Sequence, residues 1–552
     1  MSASMERRDF LKGLGLTAVG AGTAAFMAGC SPQPQPLGDT GASEGEGGNG
    51  SAALVESSTC RENSDWLGEA PSLSEADCAD AIDCDILIVG AGLAGSMSAY
   101  GALRNGASRV VLLERNSVCH VGGCEASFIN AQYQRDNGIP EYNKIEMTNE
   151  LFIQTQMRSD IALWSLWANR SGEILDDMVE NFLDPYGQYH MVNSMENFYP
   201  DPTVEMSAYN SAGVKFNDAG DDLTGFLDNL HRFIEDNGGE IHYSVRAEKL
   251  VQDDTGRVTG VIATKDGAPV AYRAAKGVIM CTGSFGANEA MMREFYPRYF
   301  ADYALANNAY SAYMNTVDEV MDDGLGHRML CWAGAVMEDE YSYMSWQNRG
   351  WMSMPYLQVN NNGDRFMNEC TPGLMCSHIV AAQPGFTSYV WQILPTNDFQ
   401  MPSVFGLTKE LLEMLGALEG EHFEADTIPE LAELMGVDAD RLQATVDRYN
   451  ELCAKGEDDD YQKAPRYLDA IDDPPYQAWR AQYNFYCTMA GVRCNNKMQV
   501  LDARQVEIPG LYAAGNTVGY RFGSCYQNTL HGATNSLAIV HGYVAGESAA
   551  KS

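Results

Sequence analysis

Gly90, Gly92 and Gly95 close the apolar run Ile86 to Val89 in Gly-x-Gly-x-x-Gly spacing, an arrangement that lets backbone N–H groups reach a pyrophosphate. The first glycine permits a tight turn, the second lets a phosphate approach the backbone, and the third lets a helix pack on its strand. Leu93 and Ala94 fall in that helix's first turn, where unpaired N–H groups and the helix dipole favour negative charge. A second apolar run, Arg109 to Leu113, delivers Glu114 nineteen residues after Gly95. A carboxylate at that strand end accepts hydrogen bonds from an adenosine ribose and disfavours a 2′-phosphate. Glycines alone would fit any α/β turn, but strand, helix, second strand and terminal acid together predict a dinucleotide site.

These residues must be positioned by a chain of 552 residues, too long for one core. Its 36 basic and 75 acidic residues leave a formal charge of −39, which disfavours nucleic acid and anionic lipid as partners. A solvated acidic surface is the plainer reading, and attraction of a basic electron-transfer partner the sharper one. The 14 cysteines form no dense array, no CxxCH haem motif and no paired CxxC zinc motif. Buried thiols are the main expectation, and an iron–sulfur cluster drawn from distant cysteines is the minority one.

Arg7-Arg8 precedes a charge-free, glycine-laced stretch, Gly13 to Gly29, too short and too weakly apolar for a membrane span. The pattern resembles a twin-arginine export signal, and Met27-Ala28-Gly29-Cys30 resembles a lipoprotein cleavage site with Cys30 lipidated. Residues 31–80, rich in Gly, Ser, Pro, Ala and acid, predict a flexible tether. Further on, alternating apolar residues from Gly238 to Thr264 predict a strand pair about a turn at Asp253 to Gly256. Gly277 to Asn288 and Ile508 to Asn516 each predict a strand running into a small-residue turn. Helical patterns include Trp164 and Trp167, the run Asp438 to Ala454 with Leu442, Val446, Tyr449 and Cys453 on one face, and Ala533 to Ala549.

In this order, the pieces from Asp83 to the C-terminus resemble the flavoprotein superfamily of fumarate reductases, urocanate-type reductases and 3-ketosteroid dehydrogenases. The marks are Gly90 to Gly95, Glu114, Gly122-Gly123, Thr282-Gly283, Val359-Asn360 with Gly363 to Glu369, and Gly510 to Gly515. The resemblance implies an α/β fold: a Rossmann-like FAD-binding domain, residues 81–340 and 487–552, interrupted by an α+β capping domain, residues 341–486, with the substrate between them. Only one dinucleotide fingerprint is present, so FAD is favoured over NAD and electrons must arrive from elsewhere. The family's covalent attachment histidine has no counterpart, which implies noncovalent FAD. Positions carried over are Glu114 and Arg115 at the adenosine end, Ala247 beside the adenine, and Gly122, Gly123, Ser127, Thr282 and Gly283 along the cofactor. Gly515 and Asn516 fall near the ribityl and phosphate groups, and Asn535, Ser536 and Leu537 against the flavin ring.

Carboxylate-reducing members hold substrate with arginine and histidine, because carboxylates in a closed pocket need charge-assisted partners. Here the proton-donating arginine falls at Gly373, the HTMGG histidine at Cys487, the arginine of the C-terminal motif near Thr529, and the HPT histidine near Trp346. Tyr341, Tyr343, Trp346, Trp351, Tyr356 and Tyr486, interleaved with Met344, Met352 and Met354, take their place. By type they suit an apolar ring held by burial and stacking, although the same spacing serves a plain cap core. Gly532-Ala533-Thr534 and Gly542-Tyr543 resemble the ketosteroid dehydrogenase segment whose tyrosine hydroxyl and glycine N–H bind the ketone oxygen. Tyr526 and Gly532 take those roles here, at a longer separation. Such donors polarise a carbonyl so that hydride adds at the β-carbon of a conjugated C=C bond, and a tyrosine supplies the proton. Arg349 lies near a family Arg-Gly pair that relays protons, and His531 reads as structural.

The resulting expectation is an exported, membrane-anchored FAD oxidoreductase that reduces a conjugated C=C bond of an apolar cyclic small molecule. A steroid-like enone or unsaturated lactone would fit, as in cardiac glycoside reductases, with electrons from a cytochrome or quinol pathway. Its alternatives are Δ1-type ketosteroid dehydrogenation, fumarate or acrylate reduction, and a flavin-binding lipoprotein without chemistry.

Overall fold

A computed structural model of the chain describes residues 66–119, 121–123, 125–193, 212–217, 223–296, 322–338, 343–347, 355–371, 379–380, 382–384, 389–394, 422–523, 525–526, 530 and 532–552; residues 193, 343–347 and 482–486 are described by backbone alone. The fingerprint run forms β1 (Asp80–Val89), α1 (Leu93–Arg104) and β2 (Val110–Leu113). Every residue of β2 is buried, as expected of a parallel strand covered on both faces. The Trp164 and Trp167 pattern forms α2 (Ile161–Met178). Next come α3 (Thr224–Asp236), β3 (Glu240–His242), β4 (Val245–Gln252), β5 (Val258–Lys265), β6 (Ala268–Met280), α4 (Glu289–Phe295) and α5 (Leu325–Trp332).

A second group begins with β7 (Tyr343–Gln347), β8 (Leu357–Val359), β9 (Tyr389–Leu394) and β10 (His422–Ala425). It continues with α6 (Ile428–Met435), α7 (Ala439–Lys455) and β11 (Tyr476–Thr488). The chain then returns to the first body as β12 (Gln499–Leu501), β13 (Glu507–Ala513) and α8 (Ala533–Ala550).

The first body is an 8-stranded sheet in the order β12-β13-β6-β1-β2-β3, extended by β5 on β6 and β4 on β5. Its centre is parallel: Val89 pairs with Leu113 on one side and with Met280 on the other. The loops after β1, β6 and β13 therefore leave the same edge of the sheet, where an open α/β fold binds its ligand. Helix α8 crosses α1 where Gly542 and Gly546 meet the Ala94 and Ser98 carbonyls, positions at which a Cβ would collide. The second body is a 5-stranded antiparallel sheet, β7-β11-β9-β8 with β10 beside β11. Leu431, Met435, Leu442, Val446 and Tyr449 of α6 and α7 bury against its Trp391 and Ile393. These are the expected Rossmann-like FAD-binding and α+β capping parts.

Three expectations change in detail. On α7, Leu452 joins the buried face and Cys453 is only half-buried. The expected tether to residue 80 is held down from Trp66 onward. Trp66 packs edge-on to Phe295 with centroids 4.8 Å apart, Arg328 Nε donates to the Leu67 carbonyl at 2.8 Å, and Lys249 Nζ donates to the Pro71 carbonyl at 3.0 Å. β11 runs continuously through the expected 486/487 boundary, so the cap and the cofactor body share a strand. No described helix is long and apolar enough to cross a membrane.

Candidate active site

The cofactor end is built where β1 meets α1. Gly90 has φ +99°, and a Cβ there would strike the Cys281 carbonyl at the end of β6. A Cβ on Gly95 would strike the Gly90 carbonyl, so the third glycine sets how closely α1 approaches the loop. Gly92 differs: within 4 Å of its Cβ position there is nothing. It caps α1 without any side-chain hydrogen bond, which leaves first-turn N–H groups facing that space, the geometry that receives a phosphate.

Glu114 ends β2 as a buried carboxylate. Its Oε2 accepts from the Ala91 N–H at 3.2 Å and its Oε1 from the Asn116 N–H at 3.0 Å. Burial pushes its carboxyl above the usual range, against the pull of those two N–H groups. Further donors from a ribose diol would satisfy it. The neighbouring β4 begins with the Val245 N–H donating to the Glu114 carbonyl at 2.9 Å, and Ala247 lies along that strand. Arg115 is engaged by Asp323 in a bidentate pair of 2.7 and 3.0 Å.

From the other side, Gly515 and Asn516 follow β13, and Gly515 sits so that a Cβ would lie 2.7 Å from the Ala94 Cβ in the first turn of α1. Thr282 and Gly283, after β6, join this loop through a 2.9 Å bond from the Thr282 N–H to Thr517 Oγ1. Asn535, in the first turn of α8, donates to the Glu125 carbonyl at 3.1 Å and lies 3.4 Å from the Gly122 carbonyl. Ser536 Oγ donates to the Ser127 carbonyl, and Leu537 is buried beside it. The described cofactor positions thus lie on the loops after β1, β2, β6 and β13, on β4, around residues 122–127 and at the N-termini of α1 and α8. An open pyrophosphate approach, a buried ribose-binding carboxylate and glycines in close backbone contact fit FAD, which, when bound, accepts and delivers a hydride.

The candidate catalytic residues divide. Tyr526 is buried, and its hydroxyl accepts from Thr534 Oγ1 at 3.1 Å, which fixes it at the N-terminus of α8. Burial pushes its phenol up to about 12, against hydrogen bonds from Thr534. Phe522 stacks on it with centroids 4.6 Å apart. Gly532 precedes α8 with φ +64°, and a Cβ there would strike the Glu125 carbonyl. Tyr526 and Gly532 are therefore brought to one helix end. Tyr343 is placed by backbone only, paired with Thr488 where β7 meets β11. Trp346 and Met344 lie on the same strand. Tyr341, Arg349, Trp351, His531, Gly373 and Thr529 lie outside the described residues. Cys487, at the position matched to the substrate-binding histidine, is a buried thiol pushed up to about 12 by burial, hence uncharged. Among the described residues no cluster of three or more His, Cys, Asp or Glu side chains could hold a metal.

Two groups that the sequence reading passed over stand behind this site. Arg521 is fully buried, with Nε donating to the Val518 carbonyl at 2.7 Å and Nη2 to Asn516 Oδ1 at 3.1 Å. His327 on α5 is also fully buried, edge-on to Phe285, and burial pulls its imidazole down to about 4. Neither sits in a motif; a lone arginine after a glycine-tyrosine pair gives no periodic signal.

Residues 85–537 match the model of the FAD binding domain family. The chain belongs to that family. It is an FAD-dependent oxidoreductase. Among curated relatives, the flavoprotein is 26% identical to a urocanate reductase of Eggerthella lenta, over 88% of this chain and 78% of that one. It is 27% identical to a fumarate reductase (cytochrome) of Shewanella frigidimarina, over 88% and 79%. In fold it is similar to a 3-ketosteroid-Δ4-(5α)-dehydrogenase of Rhodococcus jostii, with a TM-score of 0.66 at 23% identity, covering 85% of this chain and 97% of that one. Named members of the group thus work on carbon–carbon double bonds or their saturated counterparts.

Proposed function

We propose that this flavoprotein reduces the conjugated C=C bond of an apolar, ring-containing carbonyl compound, a steroid-like enone or unsaturated lactone. The observation that carries the reading is Cys487: a neutral, buried thiol stands where the carboxylate reductases place a histidine. A site without that donor loses affinity for an acid, since an anion removed from water needs charge-assisted partners. Tyr526 and Phe522, their rings 4.6 Å apart and inclined by 32° near the N-terminus of α8, would suit an apolar ring instead, with the Tyr526 hydroxyl as its polar contact.

The same tyrosine is the candidate proton donor. With its phenol near 12, Tyr526 is protonated at neutral pH, the state that donates a proton to the α-carbon after hydride has reached the β-carbon. The dehydrogenase direction, the second reading, would use the same residue as base, so the potentials of the electron donor and acceptor set which way the reaction runs. The relative named as a cytochrome-linked fumarate reductase and the acidic composition support a basic cytochrome as electron donor. The twin-arginine pattern and Cys30 support export and a lipid anchor.

The test is product analysis. Purified enzyme with a reduced viologen dye as donor should convert a steroid enone into a product two mass units heavier in water and four in heavy water, with deuterium at both the α- and β-carbons, because the dye supplies only electrons. Conversion of fumarate at a comparable kcat/KM would overturn the assignment.

A further inference from the structure

We propose that Arg521 is a positioning residue for the flavin: a sealed cation, held against the cofactor loop, that makes reduction of the bound FAD more favourable. Its side chain is entirely removed from solvent. Nε and Nη2 are occupied by the Val518 carbonyl and Asn516 Oδ1, Met489 Sδ lies 3.8 Å from Nη2, and among the described residues Nη1 has no hydrogen-bond partner. Among the described residues it forms no ion pair. The nearby buried carboxylate, Glu338, spends Oε2 on the Tyr520 N–H at 2.7 Å. His327 and His541 are held neutral near pH 7, their imidazoles drawn down by burial to about 4 and about 3. Burial draws Arg521 down only to about 10, so it stays charged.

A buried cation that forms no ion pair among the described residues, with the Phe522 ring 5.4 Å from its guanidinium carbon, opposes folding, and an unbranched apolar side chain could fill the same space. The location suggests what the charge acts on. Asn516, its hydrogen-bond partner, follows Gly515, which packs on the first turn of the fingerprint helix. Met489, its other neighbour, follows the strand end carrying Cys487 and Thr488. Arg521 therefore ties the cofactor loop to the strand shared with the cap. Two-electron reduction adds two electrons and one proton to FAD, so the product carries one more negative charge than the oxidised form. A fixed positive charge on the loop beside the cofactor favours that product, and low local polarity carries its field farther. Because Arg521 is sealed, it acts through its field and through Asn516, without touching substrate.

The test is a reduction potential measured by equilibration with reference dyes and a reduced viologen, without substrate, so that failure here leaves the proposed reaction standing. In Arg521→Met with full flavin content, the reduced-to-oxidised ratio at fixed potential should fall at least tenfold, about 30 mV for a two-electron couple. Arg521→Lys, which keeps the charge, should stay within about threefold of wild type. If the methionine variant does not hold flavin, Arg521→Gln, which keeps a donor for Asn516, is read in its place. A flavin-replete neutral variant with an unchanged potential, or a lysine variant shifted as far as the neutral ones, would overturn the proposal.

Discussion

Asp458→Asn should destabilise the cap far more than its position in a loop suggests. Asp458 belongs to a buried quartet with Arg365, Glu369 and Lys463. Arg365 Nη2 lies 2.7 Å from Asp458 and 2.8 Å from Glu369, and Lys463 Nζ lies 3.4 Å from Glu369. The Glu369, Asp458 and Lys463 side chains are 0% exposed, and that of Arg365 is 7%. Two cations balance two anions, so removing one negative charge leaves an uncompensated positive charge sealed in the cap. Breaking such a pair costs about 3–5 kcal/mol. The exposed pair Lys455–Asp459, 47% and 50% exposed, is the control, and Asp459→Asn should cost less than about 1 kcal/mol. Urea unfolding followed on the buried Trp391 and Trp479 measures both.

Acid adds an independent check of the same network. Burial opposes ionisation of Asp458, but the Arg365 hydrogen bond and the Lys463 and Tyr461 N–H groups hold its carboxyl down to about 2. A depressed acid stabilises the fold above its unfolded value of 3.8 and loses that contribution as pH falls toward 2. Wild type should therefore lose stability over that interval more steeply than Asp458→Asn. A cost below about 1 kcal/mol at neutral pH, with identical acid profiles, would refute the reasoning.

Four further variants test the cofactor end and the candidate acid. Gly92→Ala should fold with the stability of wild-type apoprotein, because its Cβ meets open space, yet bind FAD at least tenfold more weakly by flavin fluorescence titration. Gly95→Ala should lose stability as well, by about 1–3 kcal/mol or more, because its Cβ overlaps the Gly90 carbonyl. Glu114→Gln should weaken FAD binding by roughly 1.5–3 kcal/mol, the scale of hydrogen bonds to a charged acceptor. Apoprotein carrying that change should gain stability at neutral pH, since a raised carboxyl stabilises the fold below its unfolded pKa and loses that contribution as pH rises through the folded one. Tyr526→Phe should keep its flavin and lose about 10²–10⁴-fold in kcat, measured by single-turnover reoxidation of the flavin.

The sequence made the cofactor end legible because its constraints are local. Gly90, Gly92, Gly95 and Glu114 stand on one strand-helix-strand unit, with Gly90 and Gly95 fixed by close backbone contacts and Gly92 by the open space beside it. Periodicity likewise marked α7 and α8 to within a residue of their ends, missing only that Leu452 turns inward in place of Cys453. The other face of the site was opaque because distant segments build it. Arg521 bonds to Val518 and Asn516 of its own loop, and what the sequence hides is its burial beside Met489, 32 positions earlier. The quartet beneath the Gly363 to Glu369 motif was equally hidden: Asp458 and Lys463 come from the loop after α7. The hold on residues 66–71 was missed for a related reason, since Trp66 finds Phe295 and Arg328 finds Leu67 across more than 200 positions.

The central claim is that this FAD enzyme gives its hydride to an enone and not to a dicarboxylate. Anaerobic stopped-flow absorbance of the reduced enzyme tests it most directly, with a steroid enone, a cardenolide lactone, an aryl acrylate and fumarate mixed in separately. Rapid reoxidation by the enone or lactone, with fumarate no faster than buffer, is the predicted result. Reoxidation by fumarate or the acrylate alone would contradict the reading of Cys487 and return the protein to the carboxylate reductases.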